Sequence, residues 1–471
     1  MRNRLQRLCK SNTVVLATRL FFGSSFIIFA LCCVMLHGSC SKPQIDEEYP
    51  SVISGQVRNT EGIPLADARI SLPTAPDFDA VWTDSQGFFR LENFPAGHHR
   101  IRAERVGYQT YEANVPKPIN GVSTVNLVLA RALYSVPPAK PLSTGPVRIR
   151  NKLLEVDFDG DGHYEPFVVK GVAFSPMPIG SSAGVSLSPR VIDRAIQYLN
   201  GMHANTIRTY GGANKYLLQK AADSGIRVIV GFWVDYALDL SQSQIREAIK
   251  EEFGKMVLDL KGYSSILFWN IGNEQNYQNG NNPYWYTLVQ ELAIVAFEVE
   301  GEKYHPVCAS NGGFANIGDS SMDADDNSLT YMDLWATNNY EYDFTSSFAN
   351  YRRRTGKPLV VTEFGIDALD NRTHQEYEDV QAAFDSTNWL QIRAAADVCV
   401  GATVFEFTDE WWKAGDPWNH DFGGYPTGSH PDGYSNEEWW GTVAVTPDKN
   451  GDGLDEWRPR KVYYTLGRLW R

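Results

Sequence analysis

The sequence predicts an α/β protein: a (β/α)8 TIM barrel preceded by a small all-β sandwich domain. Three observations predict it. From residue 148 to the end, eight short apolar runs alternate with helix-periodic stretches. Between about 51 and 133 the pattern is different, with brief alternating runs, frequent turn residues and no helical period. No Gly-rich phosphate loop follows an early strand, and an open doubly wound sheet would need one.

The elements follow in chain order. Residues 1–40 form an export signal. Arg2, Arg4, Arg7, Lys10 and Arg19 precede an apolar run from Leu20 to Leu36, and His37-Gly38-Ser39-Cys40 closes it. Small residues ahead of a cysteine resemble a bacterial lipoprotein cleavage site, with Cys40 as the lipidated residue. A plain signal peptide and an uncleaved anchor are the alternatives. All three place the rest of the chain outside the cytoplasm, and the first gives it a membrane as partner, through a lipid anchor. Residues 41–50 are a polar, acidic tether.

The unit at 51–133 carries strand-like runs such as Val52–Val57, Ala68–Leu72, Gly87–Leu91 and His99–Ala103, separated by turns at Glu61-Gly62, Ser85-Gln86-Gly87 and Pro95-Ala96-Gly97. Its landmarks are Gly55-Gln56-Val57, Gly62-Ile63-Pro64-Leu65-Ala66-Asp67-Ala68, Thr83-Asp84-Ser85-Gln86-Gly87-Phe88-Phe89 and Gly107-Tyr108. In that order they resemble the carboxypeptidase regulatory-like (transthyretin-like) domain family. The resemblance implies an accessory module without catalysis. A linker at 134–147 follows, with Pro137, Pro138, Pro141 and Pro146.

The barrel region, 148–471, has strand candidates at 166–174, 204–209, 226–233, 265–271, 305–310, 333–338, 358–363 and 400–407. Helical patterns fall at 188–202, 213–224, 241–260, 283–301, 343–356 and 375–398. The helix after the fifth strand is the least distinct.

Composition narrows the function. The chain has 471 residues and a net charge of −13. An acidic chain repels phosphate backbones, so nucleic acid is not an expected partner and a neutral polysaccharide fits. The 13 Trp and 23 Tyr serve either a core or a sugar cleft, where flat rings stack on pyranose faces. Outside the leader only Cys308 and Cys399 remain. They form one disulfide or two separate buried thiols, and no CxxC pair exists for zinc.

In a barrel, reactive groups come from the C-terminal strand ends. The fourth strand ends Trp269-Asn270-Ile271-Gly272-Asn273-Glu274, and the seventh ends Thr362-Glu363-Phe364-Gly365. These strands stand almost opposite each other, so Glu274 and Glu363 can face across the mouth. Glycoside cleavage uses such a pair: one acid for the leaving oxygen, one base or nucleophile at the anomeric carbon.

Together with Val169-Lys170-Gly171-Val172, Asn205-Thr206-Ile207-Arg208-Thr209-Tyr210, Asn338-Asn339-Tyr340, Trp440-Gly441-Thr442-Val443 and Arg458–Tyr464, these stretches resemble clan A of the retaining glycoside hydrolases. Within it they are most similar to the family 2 barrel and the β-1,3-glucanosyltransferases. The resemblance implies Glu274 as acid/base and Glu363 as nucleophile. It further implies that Asn273 holds the sugar 2-hydroxyl, and that Arg208 and Tyr340 support Glu363. At the eighth strand end it implies an aromatic platform from Trp411 or Trp412, with Trp233 as another, and leaves Glu406 as a spare carboxylate.

The expected function is therefore a retaining β-glycosidase or transglycosidase on a β-linked glucan or related polysaccharide. The rivals are a non-catalytic sugar-binding surface lipoprotein and a carboxypeptidase, for which no zinc ligand cluster is found. No cofactor is required. Two loops, Asp157/Asp159/Asp161 and Asp448/Asn450/Asp452, resemble half of a calcium loop but lack the Glu at the twelfth position, where Val168 and Pro459 stand. They are structural calcium sites or tight polar turns. His420 and His430, in the long loop 413–440, are unpaired loop histidines that could bind a metal.

Overall fold

The computed structural model describes residues 52–93, 99–115, 122–131, 139–278 and 283–471. The leader, Cys40 and the tether lie outside the described residues. Among the described residues no helix is long and apolar enough to cross a membrane.

The N-terminal unit is a β-sandwich. One sheet is centred on Val52–Asn59, antiparallel to Phe88–Leu91 and parallel to Val122–Thr124 and Leu127–Leu129. The other runs Val81–Trp82, Arg69–Ser71, His99–Glu104, Tyr111–Val115. Strict alternation along Val52–Asn59 sends Ile53 and Val57 inward. There they meet Leu65, Ile70, Phe89, Leu91, Ile101, Leu127 and Leu129. Gly87 sits at φ +75 in a turn whose Asp84 carboxylate accepts the N–H groups of Gln86 and Phe88. A Cβ there would lie 2.5 Å from the Val57 carbonyl oxygen, so glycine is required for both its φ and its clearance.

The sandwich rests on the barrel helix Ser243–Leu260. Lys255 pairs with Asp67 at 2.8 Å, and Lys261 reaches the buried Glu104 at 3.2 Å. Gly254 leaves room for Val106, which a Cβ would approach to 2.7 Å.

The barrel closes as expected. Its parallel strands are Val169–Ala173, Thr206–Arg208, Arg227–Phe232, Ile266–Asn273, Val307–Gly312, Trp335–Asn338, Leu359–Glu363 and Cys399–Val404, with the eighth paired to the first. All eight strand candidates fall on these, with shifted ends. Six helices match as well: Pro189–Gly201, Lys215–Asp223, Ser243–Leu260, Pro283–Glu300, Thr345–Arg354 and Glu378–Ala394. The first is capped by Ser188 with Pro at its start, and buries Ile192, Ala195, Ile196 and Leu199 on one face.

Three features differ from expectation. After the fifth strand there is only a one-turn 3-10 segment, Ser320–Met322. Gly312, Gly313, Gly318 and left-handed Asp323 punctuate that stretch, so no apolar stripe builds up. A closing helix, Lys461–Leu469, docks against Glu378–Ala394, with Trp389 and Trp470 edge-to-face at 5.6 Å.

The third difference is a small antiparallel sheet, Val147–Arg150, Leu153–Val156 and Glu165–Pro166, ahead of the first barrel strand. Val147, Leu154 and Val156 plug the barrel's lower end against Val169, Ile229, Phe268, Cys308, Val360 and Val400. The supposed linker therefore docks before it ends. Lys140 bonds to Asp333 at 2.7 Å, and Ser143 donates to the Tyr304 carbonyl at 2.6 Å. Cys308 and Cys399 are both buried and unpaired, which settles their alternatives in favour of separate thiols.

Candidate active site

Glu363 is the last residue of a fully buried strand, and both of its oxygens are occupied. Oε1 accepts Arg208 Nη1 at 2.5 Å and the Tyr210 hydroxyl at 2.8 Å; Oε2 accepts the Tyr340 hydroxyl. Arg208, completely buried, ends the second strand. Its Nη2 continues to Asn273 Oδ1 at 2.8 Å and Ser310 Oγ at 3.3 Å. Burial works against the Arg208 charge, but Tyr210 and Glu363 outweigh it and raise its pKa. Burial and then the Glu363 charge push both tyrosine hydroxyls well above their ordinary range, so they remain donors.

Glu274 is placed by an irregularity. The register between the fourth and fifth strands shifts between Ile271 and Asn273. Gly272 lies there at φ +62, and Glu274 is itself left-handed at φ +59. Such a conformation costs a non-glycine residue about 1–3 kcal/mol and is held only where the surroundings over-determine it. Here they do. The buried Gln275 accepts the Asn273 N–H at 2.6 Å and donates to the Val234 carbonyl at 2.9 Å, while Glu274 N–H donates to the Ser310 carbonyl at 2.8 Å. The bulge turns Asn273 and Glu274 together into the mouth.

The Glu274 carboxyl has a poorer set of partners. Asn338 Nδ2 donates to it at 2.8 Å and to Asn273 Oδ1 at 3.0 Å. Burial and the Glu363 charge raise its pKa to about 7. The two carboxyls therefore differ in environment. One is fixed by a guanidinium and two hydroxyls; the other has one amide donor and a partner of like charge.

The structure brings together Glu274, Glu363, Arg208, Asn273 and Tyr340 as the sequence led us to expect. It adds Tyr210, Asn338 and Tyr236, whose hydroxyl donates to the Asn273 carbonyl at 2.7 Å. Tyr210 and Asn338 stand inside the strand-end motifs, whose local pattern assigns neither a role. Tyr236 carried no signal, being on a loop in no recognisable pattern.

At the eighth strand end, Glu406 is buried and tied to its neighbours. Lys413 Nζ lies 2.9 Å from Glu410 and 3.9 Å from Glu406, over the Phe405 ring. Burial, then the Glu410 charge, raises the Glu406 pKa well above normal. Next to it Asp409 is held by both Nη atoms of Arg460, at 2.6 and 2.8 Å, which ties this end to the closing segment.

Trp411 is a packing residue rather than an open platform. It is 9% exposed and stacks on His420 at 4.6 Å, and His420 stacks on Trp439 at 3.6 Å. His420 is thus held between two indoles, with Nε2 against the Glu438 carbonyl at 3.0 Å. His430 lies 3.5 Å from Asp367, and burial lowers its pKa to about 4. Trp412 is half-buried, and Trp233, 45% exposed, remains open at the mouth.

Both acidic loops are polar turns. Asp157 accepts the N–H groups of Asp161 and Gly162, and Asp448 accepts those of Asn450, Gly451 and Gly453. They differ in how their acidic groups are gathered. Asp157, Asp159 and Asp161 offer oxygens within 4.8 Å of one another. In the second loop Asp448, Asn450 and Asp452 turn toward groups of the fold itself. Asp452 Oδ1 accepts the Leu454 N–H at 2.9 Å, and its Oδ2 lies 3.8 Å from Arg190 Nη2. The same guanidinium donates to the Asp452 carbonyl at 2.8 Å. Asn450 is turned to its own loop, with Oδ1 on the Asp452 N–H at 2.9 Å and Nδ2 on Glu456 at 3.0 Å.

Known proteins can now be set beside this site. Residues 52–130 match the carboxypeptidase regulatory-like domain. A 1,3-beta-glucanosyltransferase of Schizosaccharomyces pombe is 23% identical over 271 residues, covering 52% of this chain and 52% of that protein. The match thus spans about half the length of that relative. Among solved structures, a GH2 beta-galacturonidase from Eisenbergiella tayi bound to galacturonate is similar with a TM-score of 0.50 at 15% identity, over 86% of this chain and 66% of that one. A beta-glucuronidase from Ruminococcus gnavus in complex with D-glucuronic acid has a TM-score of 0.50 at 13% identity, over 90% and 68%. At these identities the structural likeness is one of fold.

Proposed function

We propose that the barrel is a retaining β-glycosidase or transglycosidase, acting on a β-linked glucan or related polysaccharide. The observation that carries this is the unequal environment of the two carboxyls. Glu363, held by Arg208, Tyr210 and Tyr340, is oriented to attack. Glu274, with a pKa near 7, is suited to give a proton and take one back. A barrel that only bound sugar would need neither arrangement. The similarity to a glucanosyltransferase and to two glycosidase folds supports the same reading.

The steps follow from the geometry. A Glu363 oxygen attacks the anomeric carbon while Glu274 protonates the departing glycosidic oxygen, giving a covalent glycosyl-enzyme and a free leaving sugar. Water or a sugar hydroxyl then loses its proton to Glu274 and displaces Glu363. Asn273 assists from the side. Its Oδ1 is taken by Arg208 and Asn338, so its amide Nδ2 is the end left to hold a sugar hydroxyl.

Product analysis on a panel of β-glucans, mannans and galactans tests this, with NMR of the first anomer released. The β anomer is expected. Release of the α anomer would sink the double-displacement mechanism.

We further propose that the chain is exported and lipid-anchored through Cys40, as its basic start, apolar run and Gly38-Ser39-Cys40 suggest. Expressed in a bacterium fed labelled palmitate, the chain should take up label, and Cys40→Ser should abolish it. Equal labelling of both would reject the anchor.

A further inference from the structure

We infer that Tyr277 is the platform of a leaving-group and acceptor subsite, where a pyranose ring stacks next to Glu274. This rests on the glycosidase reading and goes beyond it, since it says where the second sugar sits and what holds it.

The turn after the acid is held rigidly. Tyr277 lies three residues beyond Glu274 in the short segment Gln275–Gln278, and its N–H donates to the Glu274 carbonyl at 2.9 Å. Two buried side chains hold that turn. Gln275 bridges Asn273 and Val234, and Asn276 exchanges a reciprocal pair with Gly312, donating to its carbonyl at 2.9 Å and accepting its N–H at 2.7 Å. The turn is thus locked to the end of the fifth strand.

That strand end is made for the ring. A Cβ on Gly312 would fall 2.1 Å from the Tyr277 ring, and one on Gly313 would fall 2.7 Å from its hydroxyl. The ring therefore rests along the bare backbone of two consecutive glycines, with no side chain beneath it. Even so, Tyr277 is 59% exposed. An aromatic ring supported on one side by backbone, open on the other and fixed by a buried turn is poor core packing. It is a pre-organised surface for the apolar face of a sugar.

Its position selects which sugar. Glu274 delivers its proton to the oxygen between the attacked sugar and the leaving one. The attacked sugar is held deeper, by Asn273 and above Glu363. The rim residue adjoining Glu274 on the fourth-to-fifth strand side therefore meets the sugar beyond that oxygen. Tyr425, on the hairpin strand Gly424–Pro426, is a second exposed ring, at 54%. Burial, then the charges of Glu437 and Glu274, raises its pKa.

The same subsite must serve the second step, where an acceptor sugar enters as the leaving sugar left. A surface that binds the acceptor raises the share of transfer over hydrolysis. The experiment uses the full chain trapped as its glycosyl-enzyme with dinitrophenyl 2-deoxy-2-fluoro-β-glycosides of gluco, galacto and manno configuration. Reactivation is followed in buffer and with added cellobiose or laminaribiose.

The wild-type enzyme should reactivate faster with disaccharide. Tyr277→Ala should lose about tenfold of that acceleration, read as the ratio of its own rates with and without disaccharide. Tyr277→Phe and Tyr277→Trp should keep it. Equal acceptor acceleration in wild type and Tyr277→Ala would overturn this inference alone. If no wild-type glycosyl-enzyme forms with any of the three donors, the glycosidase reading falls and the subsite with it.

Discussion

Glu363→Gln is expected to lower kcat/KM by on the order of 10⁴-fold or more, whatever the leaving group. The amide can still accept a hydrogen bond from Arg208, so the pocket keeps its shape. It cannot carry the negative charge that attacks the anomeric carbon. Arg208 is completely buried and its counter-charge is Glu363, at 2.5 Å, so the variant should also be less stable than wild type.

Loss of activity alone would not separate chemistry from damage. Glu363→Gly should therefore be tested with azide and a dinitrophenyl β-glycoside. A small anion in the vacated space attacks the same face as Glu363 and should give the α-glycosyl azide. In Glu274→Gly, Glu363 still forms the intermediate, and azide entering on Glu274's side should give the β-glycosyl azide. A β product from the Glu363 variant, or full activity in Glu363→Gln, would remove Glu363 from the nucleophile's role.

The sequence carried the pair because each Glu follows a buried, mostly apolar strand, and strand ends in a barrel have a fixed place. Barrel closure was legible for the same reason: eight buried strands leave eight apolar runs. What escaped was carried by short elements or by non-local contacts. The barrel plug is built from strands of four, four and two residues that include Arg148, Arg150 and Glu155, so its alternation is broken by charge. The helix Lys461–Leu469 does bury a stripe, Val462, Tyr463 and Leu466, but the long loop 413–440 separates it from the eighth strand.

Side-chain partners were the least legible. Tyr210 and Tyr340 lie 130 residues apart in sequence yet share one carboxylate, which no local pattern reports. The bulge at Gly272 was equally silent. Glycine within a strand pattern marks a bulge or a close approach, and here it marks both, but only the packed Trp285 and Gln275 show which. Trp411 shows the converse. The sequence offered it as a platform, and His420, nine residues further on, covers its face. Arg190, whose guanidinium donates to the Asp452 carbonyl, is likewise far away in the chain.

The second large effect concerns Glu274 and is read through pH. As general acid it must be protonated, and burial with the Glu363 charge sets its pKa at about 7. Activity on substrates with poor leaving groups should therefore fall as pH rises through about 7. Glu274→Gln should lose 10²- to 10⁴-fold on such substrates and far less on dinitrophenyl glycosides, whose leaving group needs no proton. When Glu363 becomes covalently linked to sugar its charge disappears, and one of the two causes of the high pKa goes with it. Glu274 is then more readily ionised and can act as base in the second step.

Stability should carry the same signature with a definite sign. The folded pKa lies above the ordinary 4.5, so the protonated form is the one the fold favours. That contribution is complete below pH 4.5 and is lost as pH rises through about 7. Glu274→Gln has no charge to desolvate, so relative to wild type it should gain about 2–3 kcal/mol above pH 7 and little at pH 4. Denaturant unfolding at the two pH values measures the difference. A gain equal at both would mean that Glu274 is not held as an acid, and the division of labour between the carboxyls would have to be reversed.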